Sequence, residues 1–410
     1  MLVGMTYFYL DNNASTPLDS EVALAMQKWN NVYGNPHAGH FLGSIARVAI
    51  GNARNQVLST FGVSSSSWTC IFTSGASESN NLIVKGLVFK KVRSPNSPER
   101  VRLVASRVEH SSIDKCLSYV QDLFGREKVI VDLIPVDNDG VIMIDEAREI
   151  MTSGPKVQLV TCIHTVAETG AVEPIPQLAS IVKEMSRDTL IHCDASQSVG
   201  KLDQSILHAM AECVDFITVA GHKFGGPKGS GALLCRTECL DGIDPLIHGA
   251  GQEYGLRGGT ENVASIVGLG KACEVAYSRP QADFSAADVL WETISSELSR
   301  QNDRIEFRRN STAPVRSNYT LNLSVAGMDG PKMVSELGND NMYGIKICFS
   351  AGSACHSRGC PSPSKVLAAM GLDGKFTTSG IRLSIGPSTT KEEIVKAGLL
   401  VAHHITKSIL

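Results

Sequence analysis

Two stretches decide the fold of this chain: LIHCDASQ at residues 190–197 and VDFITVAGHKFGGPKG at residues 214–229. Each begins with an apolar, β-rich run that is typical of a buried strand. A reactive side chain follows each run, Asp194 in the first stretch and Lys223 in the second. In open sheets of parallel strands, ligands bind just beyond the carboxyl ends of the strands. The sequence therefore predicts a site that holds both an acid and a lysine at one edge of an α/β sheet.

Strand-like and helix-like segments alternate over roughly the first 240 residues. Strand-like runs lie at 69–73, 101–105, 129–133 and 157–163, and helix-like runs lie near 78–90, 111–122, 144–151 and 176–185. Repeated strand–helix units of this kind predict a mostly parallel sheet with helices on both faces.

The pattern changes near residue 262. Two long helical patterns, near 262–277 and 285–301, precede a strand at 319–324, a helix at 331–337 and a C-terminal helix near 391–408. These segments are typical of a smaller α+β unit. Because 410 residues exceed the usual size of a single core, we expect a large domain at 15–260 and a small domain formed by 1–14 and 261–410.

The composition is that of an ordinary globular protein, with 43% hydrophobic residues, 19% charged residues and a formal net charge of -3. This charge gives no support for nucleic-acid binding, and no apolar run reaches the roughly 18 residues that a membrane span needs. The N-terminal residues lack the basic and apolar regions of a targeting segment. The 11 scattered cysteines contain no CxxC pair, which favours reduced thiols in the cytoplasm and no metal site.

A lysine and an acid at one sheet edge suit pyridoxal phosphate. Lys223 can form a Schiff base with the aldehyde, and Asp194 can hold the pyridine nitrogen protonated. Either residue alone is more often a surface lysine or a strand-end acid, so the pair in these contexts is what favours the cofactor.

The cofactor's phosphate has a candidate site in TSGASESNN at residues 73–81, where a small-residue turn opens a helix. Gly75, Ala76 and Ser77 are the candidate residues; the alternative is an ordinary helix start capped by Ser77 or Ser79. The glycine-rich turn at 257–262 also suits phosphate.

Four further polar residues could act around such a cofactor. His110 could stack on the ring and move protons, although a lone histidine is more often structural. Gln197 could donate to the phenolic oxygen, and His222 could reach the phosphate. Arg382 lies in an apolar strand-like run, where it needs an anionic partner: a substrate carboxylate or a structural ion pair.

Cys355 lies on a polar, glycine-containing loop with His356 and Arg358 beside it. Exposure and positive neighbours lower the pKa of a thiol and make it nucleophilic. Cys360 is interpreted as incidental rather than as a resolving thiol. The cysteines of the apolar strand-like runs are interpreted as inert packing residues: Cys70, Cys162, Cys193, Cys235 and Cys348.

Together these segments resemble the cysteine desulfurase and selenocysteine lyase family, in the class V aminotransferase group of fold-type I pyridoxal phosphate enzymes. The resemblance runs from Tyr7 to the C-terminal helix. Its motifs are YLDNNASTP at 9–17, GNPH at 34–37, TSGASESNN, Glu109-His110, HCDASQSVGK, GHKFGGPKG, RGGTENVA at 257–264, GSACHS at 352–357 and IRLSIG at 381–386. It implies a large domain with a mostly parallel seven-stranded sheet and a smaller α+β domain.

The resemblance also implies a role for each candidate residue. Lys223 holds the cofactor, Asp194 pairs with its pyridinium, His110 stacks on its ring and Gln197 contacts its phenolic oxygen. Gly75, Ala76, Ser77 and His222 hold the phosphate, while Thr260 reaches the phosphate of a neighbouring subunit in a homodimer. Arg382 and Asn35 bind the substrate.

By the same resemblance, Cys355 attacks the sulfur or selenium of L-cysteine or L-selenocysteine, keeps it as a persulfide and releases L-alanine. A protein sulfur acceptor and a cytoplasmic location follow as expectations. His356-Ser357 and the run at 361–367 look most like the selenocysteine lyase branch.

Two positions depart from the family pattern. Val166-Ala167 stand where the family carries two asparagines, one of which contacts the cofactor and the substrate carboxylate, and Ala220 stands where a serine is common. Two other functions therefore stay open: a C–S lyase acting on a larger S-substituted cysteine, and a weakly active sulfur-relay scaffold. The scaffold is the weakest of the three hypotheses, because the candidate residues are all present: Lys223, Asp194, His110, Cys355 and Arg382.

Overall fold

The computed structural model describes residues 7–278, 284–302, 304–339, 344–352 and 363–409. The strands are β1 Tyr7–Tyr9, β2 Trp68–Thr73, β3 Val101–Ser106, β4 Val129–Ile134, β5 Val157–Ile163, β6 Leu190–Asp194, β7 Phe216–Ala220, β8 Gly231–Arg236, β9 Phe307–Arg309, β10 Thr320–Val325, β11 Lys346–Cys348 and β12 Ile381–Ser384. The helices are α1 Ser20–Trp29, α2 Phe41–Thr60, α3 Ala76–Arg93, α4 Ser111–Phe124, α5 Ile144–Thr152, α6 Ile175–Met185, α7 Gln204–Cys213, α8 Val263–Ser278, α9 Ala286–Gln301, α10 Gly330–Asn339, α11 Lys365–Ala369, α12 Gly374–Thr377 and α13 Lys391–Ile409.

A seven-stranded sheet with the order β2-β8-β7-β6-β5-β3-β4 lies at the centre of the larger unit. All its strands run in one direction except β8, which is antiparallel to both β2 and β7. Strands β2, β3 and β7 are buried along their whole length, as apolar runs between two helical layers should be. The predicted mostly parallel seven-stranded sheet is confirmed.

The smaller unit contains the antiparallel sheet β12-β10-β9 and the parallel pair β1-β11. Helices α9 and α13 pack together in its core, and Phe8 and Leu10 from the N-terminal segment join them. The N-terminal segment and the C-terminal part of the chain therefore share one hydrophobic core. The predicted smaller α+β part is confirmed.

Helix α8 follows the predicted boundary at residue 260 but packs against α1 and α2 of the larger unit. Its buried side chains Val263, Ile266, Leu269 and Cys273 belong to the core of the seven-stranded sheet. The division at residue 260 stays a prediction, and we propose that the large domain extends through α8. Among the described helices, none is long and apolar enough to cross a membrane.

Strand β8 lies directly against the start of α3, where Gly75 opens the predicted phosphate site. A Cβ atom at Gly231 would lie 2.6 Å from the Gly75 Cα and 2.6 Å from the Val219 carbonyl oxygen. Only glycine permits this approach, so Gly231 sets the distance between the sheet and the first turn of α3.

We expect Gly231→Ala to lower the free energy of unfolding by about 1–3 kcal/mol, because backbone atoms must move to admit the methyl group. Chemical denaturation would measure the change. Gly242→Ala is the matched control, since a Cβ atom there has no neighbour within 4 Å. Equal midpoints for the two variants would contradict the packing described here.

Candidate active site

Lys223 and Asp194 lie at the carboxyl ends of the adjacent parallel strands β7 and β6. Lys223 closes the short turn Gly221–Lys223 that directly follows β7. Its Nζ donates to the backbone oxygens of Asn13 at 2.6 Å and Ala14 at 3.0 Å. The sheet thus brings the lysine and the acid to one edge, with the amine held by two carbonyl groups.

Asp194 is buried, and donors fix its carboxylate in place. Its Oδ2 accepts from Asn80 Nδ2 at 2.8 Å, and its Oδ1 accepts from the backbone amide of Ser196 at 3.0 Å and from the Ser196 hydroxyl. A carboxylate has about four acceptor positions, so capacity remains for one more N–H donor. This is the group that a protonated pyridine nitrogen needs.

His110 caps the N-terminus of α4 and is linked to Asp194 through Ser112 and Asn80. The backbone amide of Ser112 donates to His110 Nδ1 at 3.1 Å, and the Ser112 hydroxyl lies 2.8 Å from the same nitrogen. Asn80 Nδ2 also donates to the Ser112 hydroxyl, at 2.9 Å. Because Nδ1 accepts, the neutral ring carries its proton on Nε2.

Glu109 directly precedes His110 in the sequence and is buried. Its Oε1 accepts from the Ser106 hydroxyl and from the backbone amide of Ile163, each at 2.7 Å. Burial, with a smaller contribution from the charge of Asp194, raises the pKa of Glu109 to about 8. The carboxyl group is therefore protonated in the folded state at neutral pH.

The raised pKa of Glu109 predicts a specific pH dependence of stability. Between about pH 4.3, where an unfolded Glu ionises, and the folded-state pKa of about 8, the folded chain holds a proton that the unfolded chain releases. The free energy of unfolding therefore falls as pH rises through this window, by at most about 1.4 kcal/mol per pH unit.

Glu109→Gln should remove this slope, because an amide carries no titrating proton. Denaturation of both proteins at pH 5, 6.5 and 8 would measure the difference, with the exposed Glu127→Gln as a control for the substitution itself. A stability difference between wild type and Glu109→Gln that stays constant with pH would contradict the buried protonated state.

The first turn of α3 has the geometry of an anion site. Gly75 is the N-cap with φ of 150°, and no side chain caps the helix. Ser79 instead bonds the Thr73 hydroxyl at 2.9 Å, so the alternative of a serine-capped helix is wrong. Within the described ranges, the amides of Ala76 and Ser77 have no hydrogen-bond acceptor. Free amides at a helix start attract anions.

His222 precedes Lys223 in the same turn and is half-buried. Its Nδ1 lies 3.3 Å from the Ser15 hydroxyl. Burial, followed by the positive charges of Lys223 and Lys201, lowers the pKa of His222 to about 4. At neutral pH the ring is therefore uncharged and can act as a hydrogen-bond donor through its remaining N–H.

Gln197 belongs to a buried cluster with Asn13 and Lys201. Gln197 Nε2 donates to the Asn13 backbone oxygen at 2.8 Å, and Lys201 Nζ donates to Asn13 Oδ1 at 2.9 Å and to Gln197 Oε1. The Asn13 backbone oxygen is the same atom that accepts from Lys223. Gln197 and Lys223 therefore share one acceptor.

Arg382 lies in β12 and is buried, with a carboxylate already beside it. Its Nη2 donates to Asp11 Oδ1 at 2.9 Å, and its Nη1 donates to the Ala167 backbone oxygen at 3.2 Å. In the part of the chain that the structure describes, its Nε has no hydrogen-bond partner. The structural ion pair considered from the sequence is thus present, and among the described residues the Nε–H of this guanidinium is left without an acceptor.

The two departures from the family pattern lie in this region. Val166 is buried, and Ala167 contributes only its backbone oxygen, which accepts from Asn13 Nδ2 at 3.1 Å and from Arg382. The nearby Thr165 hydroxyl is bonded to Ser198 at 2.8 Å. Ala220 is buried at the end of β7 and offers no hydroxyl.

Asn35 and Thr260 lie on the exposed surface, away from the residues above. Asn35 Oδ1 accepts from the His37 amide at 2.9 Å, which closes a local turn. Among the described residues, no hydrogen bond joins Asn35 or Thr260 to the cluster around Lys223. His37 Nε2 contacts Glu261 at 2.8 Å, so the two predicted residues lie on neighbouring turns of one face.

Cys355, His356, Arg358 and Cys360 lie outside the described residues. The segment that leads to Cys355 begins beside Arg382, because the backbones of Ser350 and Arg382 pair and the Ser350 hydroxyl donates to Asp11 at 2.7 Å. Of the cysteines interpreted as packing residues, Cys70, Cys162, Cys193 and Cys235 are buried and Cys348 is half-buried. Burial raises the pKa of all five thiols.

Comparison with known proteins places this geometry in a family. The model of the aminotransferase class-V family matches residues 8–396. A cysteine desulfurase IscS from Dictyoglomus turgidum is 33% identical over 94% of this chain and 91% of its own length. A mitosomal cysteine desulfurase from Trachipleistophora hominis is 36% identical over 94% of this chain and 83% of its own length.

The chain belongs to the class-V aminotransferase family.

Solved structures agree with this assignment. A NifS-like protein superimposes with a TM-score of 0.83 and 29% identity, covering 99% of this chain and 100% of that chain. A structure of SspA in complex with cysteine has a TM-score of 0.75 and 32% identity, covering 94% of this chain and 100% of that chain.

A mitochondrial cysteine desulfurase from Arabidopsis thaliana is a further relative by sequence, 34% identical over 97% of this chain and 82% of its own length.

The family depends on pyridoxal phosphate, and the residues present fit this cofactor. Asp194 retains acceptor capacity, the amides of Ala76 and Ser77 face an open helix start, and the buried Asn80 Oδ1 has no partner among the described residues. Lys223 supplies the amine. In the described part of the chain, no three or more His, Cys, Asp or Glu side chains cluster in a way that could hold a metal ion.

The sequence reasoning missed Asn80, Ser112, Asn13 and Lys201 as members of the site. Each lies inside a motif that was quoted or directly beside one. The positions of two of them partly indicated that they belong to the site. Asn80 follows Ala76 by one helical turn, and Ser112 directly follows the start of α4 at Ser111.

Proposed function

We propose that this protein is a pyridoxal phosphate-dependent cysteine desulfurase that releases L-alanine and keeps the sulfur as a persulfide on Cys355. The observation that carries the proposal is that Lys223 and Asp194 lie at one sheet edge, where Asn80 and Ser112 join Asp194 to His110. The full-length similarity to proteins named cysteine desulfurase supports it.

The contacts of the cofactor residues support a role for each of them in this proposal. Lys223 supplies the amine that carries the cofactor, and Asp194 holds its ring nitrogen in the protonated form. Gly75, Ala76, Ser77 and His222 hold the phosphate, and Gln197 donates to the phenolic oxygen. Bound there, the cofactor supplies an electron sink for the carbon skeleton of the substrate. His110, with its proton on Nε2, exchanges protons at the face of the ring.

Arg382 binds the substrate carboxylate in this proposal. Asp11 occupies Nη2, so the incoming carboxylate meets a guanidinium that is already oriented and that still has its Nε donor available. The Cys355 thiolate then attacks the substrate sulfur, and the C–S bond breaks as the new S–S bond forms. The carbon fragment gains a proton and leaves as alanine, so cysteine and the enzyme thiol become alanine and an enzyme persulfide.

A homodimer fits the surface of this chain. Large apolar side chains are exposed on α1, α2 and the turn before α2: Tyr33 at 87%, Phe41 at 73%, Leu24 at 60% and Val48 at 60%. The turns that carry Asn35 and Thr260 belong to the same face of the molecule. We propose that this face meets a second copy, so that Thr260 and Asn35 contribute to the partner's site. The cytoplasmic location and the protein sulfur acceptor remain predictions.

Two variants test the proposed chemistry. Lys223→Ala should abolish the visible absorbance of the bound cofactor, whereas Cys355→Ala should keep the absorbance and lose sulfide release from cysteine by at least about 100-fold, because its nucleophile is gone. Absorbance spectra and assays of sulfide and alanine would measure both outcomes. Lys115→Ala and Cys239→Ala are the matched controls.

A wild-type protein that gains no visible band with added pyridoxal phosphate would overturn the cofactor assignment. Normal sulfide release by Cys355→Ala would overturn the persulfide step while leaving the cofactor in place.

A second function, a C–S lyase acting on a larger S-substituted cysteine, is favoured by one observation. Ala167 presents a backbone oxygen where the family places a side-chain amide, which removes both a donor and the volume of that amide. The same change bears on the choice between cysteine and selenocysteine as substrate.

Ala167→Asn should lower the KM for cysteine by about tenfold if the amide regains a hydrogen bond to the substrate carboxylate, since such a bond is worth about 1.5–3 kcal/mol. Steady-state kinetics with cysteine, selenocysteine and S-methylcysteine would measure the effect, and Ala167→Leu controls for size. A wild type that prefers S-methylcysteine, and an Ala167→Asn variant that loses this preference, would favour the lyase.

A further inference from the structure

Lys201 is a buried lysine in the site to which the proposed chemistry assigns no role. Its Nζ donates to Asn13 Oδ1 at 2.9 Å and to Gln197 Oε1. Burial, followed by the positive charges of Lys223 and Arg382, lowers the pKa of Lys201 well below its usual value. Burying an amine is costly, so its contacts need a physical reason.

The contacts of Lys201 determine which way two amide groups face. An amine donates to both amides, so Gln197 and Asn13 must each turn an oxygen toward it and an NH2 group away from it. The remaining contacts agree: Gln197 Nε2 meets the Asn13 backbone oxygen at 2.8 Å, and Asn13 Nδ2 meets the Ala167 backbone oxygen at 3.1 Å and the Thr320 hydroxyl at 2.9 Å. Reversing either amide would set its NH2 group against the Lys201 donor.

The array ends at Lys223. The Asn13 backbone oxygen accepts from Gln197 on one side and from Lys223 Nζ, at 2.6 Å, on the other. We propose that Lys201 is a positioning residue that fixes the direction of the Gln197 amide and, through it, the polar surroundings of Lys223. This inference deepens the proposed function and rests on it, because there the Gln197 NH2 group donates to the cofactor's phenolic oxygen.

Lys201→Met separates this role from simple packing, because methionine fills similar volume without a donor or a charge. We expect the dissociation constant for pyridoxal phosphate to rise about tenfold as the Gln197 donor loses its direction. Lys115→Met, at an exposed position on α4, is the matched control and should leave this affinity unchanged. An unchanged affinity in Lys201→Met would overturn the proposal.

A double-substitution cycle tests the route of the effect. Because Lys201 acts on cofactor affinity through Gln197, Lys201→Met should change that affinity by less than about twofold in a Gln197→Leu background. Full additivity of the two substitutions would show that Lys201 does not act through Gln197 and would overturn the positioning role.

Lys201→Gln keeps the proposal testable if Lys201→Met does not fold. The glutamine retains an N–H donor, so affinity should stay within about twofold of wild type. A glutamine variant that loses cofactor affinity as strongly as Gln197→Leu would overturn the proposal.

The apoprotein separates this inference from the proposed function. If the wild type binds no pyridoxal phosphate, the proposed function fails, but the coupling of Lys201 to Gln197 can still be measured in the free energy of unfolding of the apoprotein. We expect Lys201→Met to lower this free energy by less in a Gln197→Leu background than in the wild type, as measured by chemical denaturation. Additive changes in the two backgrounds would overturn the positioning role while leaving the cofactor question separate.

Discussion

The rest of the structure depends on the segment of residues 11–16, which contacts both the smaller and the larger unit. Asp11 binds Arg382 of β12, and the backbone amide and side chain of Asn12 bond to the Ser384 backbone oxygen. Two residues later the same segment offers backbone oxygens to Lys223, and Thr16 bonds the turn that carries it. One short segment therefore fixes the smaller unit to the sheet edge where the chemistry is proposed. A shift of either unit would move the acceptors of Lys223.

Three basic side chains surround this segment: Lys201, Lys223 and Arg382. Asp11 pairs with Arg382, and backbone oxygens accept from Lys223 and Arg382, namely those of Asn13, Ala14 and Ala167. Buried cations are costly unless they are paired or hydrogen-bonded. In the proposed function, the substrate carboxylate adds a negative charge beside Arg382.

The sequence predicted the elements well where apolar periodicity was strong. The helices near 78–90, 111–122 and 391–408 are found as α3, α4 and α13, with ends shifted by a few residues. The positions of Asp194 and Lys223 were predictable because consecutive strands of a parallel sheet deliver their ends to one edge. Cys235 was placed in a strand-like run that the structure shows as β8, but its antiparallel direction was not predicted, since a buried strand has no periodicity that reports its direction.

The polar network could not be predicted because its contacts join residues far apart in sequence. Asn80 and Asp194 are 114 residues apart, and Lys201 and Asn13 are 188 residues apart. Arg382 was ambiguous for a related reason, since the sequence cannot show whether Asp11 or a ligand stands beside it. In the structure Asp11 does, while the Nε–H of Arg382 has no acceptor among the described residues.

At Val166-Ala167 the structure offers Arg382 a backbone oxygen and no polar side chain. A side-chain amide can rotate and can donate to a carboxylate, whereas the Ala167 backbone oxygen is fixed and can only accept. It accepts from Arg382 Nη1 and Asn13 Nδ2 and thereby orients both, but it adds no donor for an anion. In the proposed function, recognition of the substrate carboxylate therefore rests on Arg382, and this wall sets no polar side chain against the rest of the substrate.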